Sequence, residues 1–244
     1  MSKQYLFICG CPRSGTSALC DLVNSHPDIC IGMERYYNKI LIDGELNPAM
    51  FDLPRFLDYQ SGDSFHPELN QGDILKNKYK HAIYVGEKLP KLYSRLNLLA
   101  QNFPVVSVKI LFIFREIFGV AESYTARAKN INDNYWERQQ DWRIAVQDWN
   151  DSIAAYINYK SYLAILPVDY EALFCSDVVE GEAQLRKIIN FLGVDAYSSE
   201  EMDLIRLRFF GRTETRGNRG IHTQEETAII EEKADIDKWH SIFS

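Results

Sequence analysis

The stretch that decides the fold is Tyr5 to Val23, YLFICGCPRSGTSALCDLV. Tyr5 to Cys9 is a short run of aromatic and aliphatic residues, the pattern of a strand buried on both faces. Gly10 to Gly15 breaks that pattern with Pro12 and two glycines. From Thr16 onward Leu19, Leu22 and Val23 fall three and four apart, on one face of a helix. A glycine-flanked loop between a parallel strand and a helix start is an anion site, because the first-turn N–H groups point into it and the helix dipole adds partial positive charge. The dipole contributes only ~0.3–1 kcal/mol at an exposed end and up to ~2 kcal/mol when partly buried. Affinity for a phosphate therefore requires side-chain cations as well, and Arg13 lies inside the loop.

Gly10 and Gly15 have the spacing of the ATP-binding loop G-x-x-x-x-G-K-[ST], but Thr16 stands where the lysine belongs. Ser17 keeps the last hydroxyl, and the positive charge has moved to Arg13. Such a cradle lacks the lysine that grips β- and γ-phosphates. It suits a nucleotide with one 5′-phosphate that carries something other than more phosphates.

Working outward, the chain of 244 residues is 46% hydrophobic and 25% charged, ordinary for a soluble globular protein of one domain or two small ones. Its net charge of −7 speaks against a nucleic-acid or polybasic membrane partner, and means that an anionic ligand must be met by local cations. Cysteines 9, 11, 20, 30 and 175 form no disulfide framework or zinc pattern, and free thiols fit a reducing cytoplasm. No run of about 18 apolar residues marks a membrane span, and no signal peptide precedes the first strand.

Further strands are expected at 29–33, 82–86, 105–114 and 166–170, with helices at about 93–101, 118–129, 135–163 and 185–192. This is an α/β fold in which a five-stranded parallel sheet is flanked by helices in three layers. In open α/β sheets ligands bind at the carboxyl ends of the strands. Glu34, Lys88 and Arg115 each follow or end a strand there. Ser123 lies eight residues after Arg115, a spacing that lets a guanidinium at the strand end and a hydroxyl in the next helix converge on one phosphate. Trp142, Val146, Trp149, Ile153 and Tyr156 make one amphipathic face and read as core. His26, in the turn before Pro27, reads as structural.

Four motifs together resemble the sulfotransferases that use 3′-phosphoadenosine 5′-phosphosulfate (PAPS). Pro12-Arg13-Ser14-Gly15-Thr16-Ser17 is similar to the family's 5′-phosphosulfate loop. Gly86-Glu87-Lys88-Leu89-Pro90 is similar to the G-[ED]-K-[ST]-P run of heparan-type and bacterial members. Phe112 to Ser123, FIFREIFGVAES, resembles the 3′-phosphate signature, with Ile117 and Phe118 at the place where a proline is usual. Leu166 to Leu173, LPVDYEAL, followed by Phe191-Leu192-Gly193, resembles the V-x-Y-E-x-L … F-L-G segment.

The resemblance implies that Arg13 touches the 5′-phosphate and bridging oxygen, with Ser14, Gly15, Thr16 and Ser17 in the cradle. It implies Arg115 and Ser123 on the 3′-phosphate, Tyr170 near the adenine, and Lys88 on the sulfuryl group and leaving oxygen. Heparan-type members use a glutamate after the second strand as base, which here is Glu34. The arginine- and glycine-rich stretch 209–220 is similar to the family's C-terminal cofactor loop, with Arg216 and Gly217 as the expected contacts.

The implied reaction moves a sulfuryl group from PAPS to a hydroxyl or amine of a small-molecule or carbohydrate acceptor, leaving 3′-phosphoadenosine 5′-phosphate (PAP), with no metal. Residues 1–244 are expected to form a single domain, with 35–80 as an acceptor-binding or lid insertion. Two rival readings stand beside this one. A P-loop small-molecule kinase would need the missing lysine and an acid where Arg115 stands. A non-catalytic nucleotide-binding protein would need Arg13, Arg115 and Ser123 but neither Glu34 nor Lys88. The acceptor and the oligomeric state are not written in the sequence.

Overall fold

A computed structural model of the chain describes residues 3–64, 72–210 and 222–244. Five strands form one sheet: β1 (Gln4–Cys9), β2 (Ile29–Met33), β3 (Tyr84–Lys88), β4 (Val108–Phe114) and β5 (Ala164–Asp169). Their order is β2-β3-β1-β4-β5, and every pairing is parallel. Parallel neighbours need crossovers, and the crossovers place helices on both faces. Alternation along β1 shows the three layers directly: Phe7 and Cys9 enter one core, Leu6 and Ile8 the other.

The second of those cores is covered by α1 (Thr16–Asn24) through Leu19, Leu22 and Val23. Among the described residues between β2 and β3 are the helices α2 (Tyr37–Leu41), α3 (Leu53–Leu57) and α4 (Gly72–His81). The first core is covered by α5 (Leu96–Asn102), α6 (Ile117–Lys129) and α7 (Trp142–Tyr159). Helices α8 (Val178–Leu192) and α9 (Ser199–Phe209) join α1 on the other face. The chain closes with α10 (Gln224–Lys233) and α11 (Ile236–Phe243). Among the described residues no helix is long and apolar enough to cross a membrane.

Several boundaries differ from those expected, each for a local reason. The strand expected from Val105 starts at Val108, because Pro104 opens a 3-10 turn over Val105–Ser107 closed by Ser107 N–H to the Pro104 carbonyl at 2.8 Å. The strand expected at 82–86 is Tyr84–Lys88, so Glu87 and Lys88 belong to the sheet. The helix expected from Tyr93 begins at Leu96, after a 3-10 segment Pro90–Arg95. The long helix expected from Tyr135 begins at Trp142, where Asp141 caps it by accepting the Arg143 N–H at 2.9 Å. Helix α8 begins well before Leu185, at Val178, because Asp177 caps it through the Glu180 N–H. The last strand is Ala164–Asp169, which leaves Tyr170 just beyond its end.

The face of α7 falls as its periodicity indicates, with Trp142, Val146, Trp149, Ile153 and Tyr156 all buried. His26 is buried in the turn after α1, bonded to the Asp195 carbonyl at 2.9 Å. All five cysteines are free thiols. The insertion after β2 is packed into the first core through Tyr36, Met50, Phe51 and Phe56. Its hub is the buried Arg35 guanidinium, which donates to the carbonyls of Arg55 (2.9 Å), Phe56 and Asp58 (2.6 Å) and pairs with the wholly buried Asp63 carboxylate at 3.1 Å. Those carbonyls lie at the end of α3, where helix geometry leaves the last carbonyls in need of donors from outside the helix.

Gly86 of β3 leaves no room for a side chain: an added Cβ would lie 1.9 Å from the Leu6 carbonyl oxygen of β1. Gly86→Ala is therefore expected to cost about 1–3 kcal/mol by forcing β1 and β3 apart. The check is urea unfolding, in which the midpoint should fall with the slope unchanged.

Candidate active site

All five strands point their carboxyl ends at one edge of the sheet, and the segments that follow them meet there. The loop after β1 is tied down first. Gly10 N–H donates to the Pro90 carbonyl at 3.1 Å, and Ser14 N–H to the Cys11 carbonyl at 3.1 Å. Within this turn Arg13 adopts φ 72°. A left-handed arginine costs about 1–2 kcal/mol, and the turn sends its side chain toward α6. There Arg13 Nε donates to Ser123 Oγ at 2.9 Å. Gly15 adopts φ 93°, and a Cβ on it would lie 2.4 Å from the Tyr170 ring. Helix α1 begins directly after Gly15, and no side chain caps it. Its first-turn amides thus face the loop and favour an anion.

Lys88, the last residue of β3, brings its ammonium to the same place. It is 1% exposed. Its Nζ donates to Ser17 Oγ at 3.0 Å and to Glu34 Oε1 at 2.5 Å. Glu34 follows β2 in a left-handed conformation, φ 57°, and keeps 34% of its side chain exposed. One carboxylate, one ammonium and one loop hydroxyl are thus linked in a row. Glu87, beside Lys88, is fully buried, and burial pushes its carboxyl up to about 8.

Arg115 follows β4. Its Nη1 donates to the Arg13 carbonyl at 3.3 Å, its guanidinium lies 4.6 Å over the Tyr170 ring, and Nε is 3.8 Å from Glu171 Oε1. Trp149 Nε1 donates to the Arg115 carbonyl at 2.8 Å, fixing the backbone from α7. Glu116 caps α6, accepting the Phe118 N–H at 3.0 Å and the Gly119 N–H at 2.5 Å. That cap starts the helix at Ile117. Arg127 stands one turn beyond Ser123, paired with Asp133 at 2.5 Å and stacked 4.5 Å over Trp136. Burial, then Arg127 and Arg115, pull the Arg13 pKa below its ordinary value. Two guanidinium groups acting on a third concentrate positive charge at this corner of a chain whose net charge is −7. Burial and then Asp169 push the Glu171 carboxyl up to about 7, against the pull of Arg115.

The family model of the sulfotransferase family matches residues 5–199. The chain belongs to the sulfotransferase family. Sulfotransfer is accordingly its class of activity. Two solved sulfotransferases share the fold. One, from Alicyclobacillus acidocaldarius, is 16% identical at a TM-score of 0.53, covering 98% of this chain and 100% of its own. The other, mouse SULT7A1 complexed with PAP, is 14% identical at a TM-score of 0.51, covering 95% of this chain and 83% of its own. A comparison with curated protein sequences finds no match.

Of the residues singled out from the sequence of this sulfotransferase, the fold groups Arg13, Ser123, Arg115 and Tyr170 in one cluster and Ser17, Lys88 and Glu34 in another, with Gly15 against Tyr170. Ser14 and Thr16 are buried in the loop and the first turn of α1. Arg216 and Gly217 lie outside the described residues. Among the described residues no three His, Cys, Asp or Glu side chains converge as a metal-binding group. Arg127, Glu171 and Glu87 join the site without having been singled out. Arg127 was legible in principle, four residues after Ser123 and so on the same helix face.

The Glu34–Lys88 pair is unequal, since Lys88 is buried and Glu34 reaches water. Glu34→Ala leaves a buried ammonium without its counter-charge, whereas Lys88→Met leaves a carboxylate that hydrates. Glu34→Ala is expected to be the more destabilising by about 1–2 kcal/mol. Denaturant unfolding of both variants and of the double variant tests this, and the double variant should recover most of the loss.

Proposed function

We propose that this sulfotransferase moves a sulfuryl group from PAPS to a hydroxyl or amine of a small-molecule or carbohydrate acceptor, with Glu34 as general base. The observation that carries the reading is the row Glu34–Lys88–Ser17, which sets a carboxylate and a buried cation beside an uncapped helix start. The residues fit the donor nucleotide. A loop without a side-chain cap at the start of α1, three crowded guanidinium groups and the Tyr170 ring packed against Gly15 suit an anionic nucleotide with two separate phosphate positions.

In this reading Arg13, Ser14, Gly15, Thr16 and Ser17 hold the 5′-phosphosulfate. Arg115, Ser123 and Arg127 hold the 3′-phosphate, Tyr170 stacks on the base, and Arg216 and Gly217 add cofactor contacts. Bound PAPS supplies the sulfuryl group and a stable bisphosphate leaving group. The chain's own residues do the rest. Glu34 takes the acceptor proton as the acceptor oxygen or nitrogen closes on sulfur. Lys88 and Arg13 neutralise charge growing on the departing oxygen. Residues 35–80 form the acceptor side of a single domain, anchored beside the base through Arg35. The net charge and the free thiols favour a cytoplasmic setting. A kinase would need a phosphate-gripping lysine at position 16, which holds threonine.

Calorimetric titration with PAP, ADP and ATP, with and without Mg²⁺, tests the donor. PAP is expected to bind without metal, and Arg115→Ala to weaken it about tenfold or more, the loss of a charge-assisted contact. A preference for ATP with Mg²⁺ would move the protein to the kinases. Sulfate release from PAPS, with water as acceptor, tests the base. Glu34→Gln should keep PAP affinity and lose turnover by about 10²-fold. Full turnover in that variant would remove Glu34 from the role.

A further inference from the structure

Glu34 holds a backbone conformation that glutamate rarely adopts, φ 57°, and two groups of β3 keep it there. Its own N–H donates to the Lys88 carbonyl at 2.8 Å, extending the β2–β3 ladder. The next N–H, that of Arg35, donates not to a carbonyl but to Glu87 Oε1, at 2.9 Å. Glu87 has no solvent exposure. It stands opposite Gly32 in the register, and a Cβ at Gly32 would lie 2.7 Å from Glu87 Oε2. The carboxyl therefore fits only because its cross-strand partner has no side chain. An acid is costly in such a place unless it does something there.

We propose that Glu87 is a positioning residue for the base: through the Arg35 N–H its carboxyl fixes the left-handed turn that presents the Glu34 carboxylate to Lys88. The inference rests on Glu34 acting as the base. The last two residues of β3 then divide the work. Lys88 grips the carboxylate of Glu34, and Glu87 grips the backbone that carries it.

Glu87 does this as a neutral acid near pH 7. Burial, with the Glu34 charge adding to it, pushes the carboxyl up to about 8, while the Arg35 N–H and the Lys88 and Arg35 charges oppose the rise. The titratable and charged groups facing it are Glu34, Arg35 and Tyr36 from the turn after β2, Lys88 beside it, Tyr59 from the insertion and Cys20 from α1. Above about pH 8 a second carboxylate charge competes with Glu34 for Lys88, and the buried ion draws in water. The folded state keeps this proton where the unfolded chain has lost it. Stability therefore falls as pH rises from the ordinary 4.5 through about 8, and is highest below that window.

The test measures sulfate release from PAPS with water as acceptor, and PAP affinity by calorimetry, in the whole chain and in Glu87→Gln, Glu87→Leu and Glu34→Gln. Glutamine keeps a neutral acceptor for the Arg35 N–H. Its kcat should stay within about twofold of the parent at pH 7, and should hold above pH 8 where the parent declines. Leucine removes the acceptor, so kcat should fall about tenfold or more with PAP affinity within about twofold. The proposal is overturned if the leucine variant keeps the parent kcat, if glutamine is as damaging as leucine, or if PAP affinity falls in step with kcat. Should the leucine variant fail to fold, an alkaline decline unchanged in Glu87→Gln overturns it by itself. The base assignment fails separately: an active Glu34→Gln removes base and positioning residue together, whereas an inactive Glu34→Gln beside a fully active Glu87→Leu removes Glu87 alone.

Discussion

The buried ammonium of Lys88 is the constraint on which the site depends. A lysine with 1% exposure has given up its hydration and must recover that energy from fixed partners. It finds Ser17 on the first turn of α1 and Glu34 at the end of β2. Because it ends β3, which lies between β2 and β1 in the sheet, it draws three separately encoded segments to one point. None of them can shift far without leaving the charge unpaired. That is how a short parallel sheet holds a carboxylate and a cation in contact at its rim.

Charge explains the other half of the rim. The chain as a whole repels anions, yet Arg13, Arg115 and Arg127 crowd one corner, where burial first and then the two neighbouring guanidinium groups lower the Arg13 pKa. Each guanidinium is steadied by something other than a free counter-ion in solution: Ser123 for Arg13, the Tyr170 ring and Glu171 for Arg115, Asp133 and the Trp136 ring for Arg127. The arrangement keeps positive charge concentrated at modest cost to the fold. It also places carboxylates at the edges, where an incoming phosphate would have to displace or outbid them.

Much of this was legible because the decisive residues are local. The loop motif, the Arg115–Ser123 spacing and the apolar runs of β1 and β2 each lie within one strand-turn-helix unit, and the structure keeps those units. What the sequence concealed was set by tertiary partners or by caps. The strand start at Val108 depended on Pro104, and the late start of α7 depended on Asp141. Glu87 reads in sequence as the middle of a Gly-Glu-Lys run. Its burial depends on Gly32, a residue on another strand whose absent side chain makes the room. No one-dimensional pattern carries that information.

The insertion between β2 and β3 is coupled to Glu34 more tightly than its loose sequence suggests. Arg35 directly follows Glu34, and its N–H and its guanidinium face different tasks. The N–H reports to Glu87 in the sheet, while the guanidinium saturates the end of α3 and the buried Asp63. Moving the 53–63 segment would therefore pull on the residue next to Glu34. Remodelling of that segment has to preserve the Arg35 contacts if Glu34 is to keep its place beside Lys88. The positions free to vary without that penalty are those that touch neither Arg35 nor Asp63.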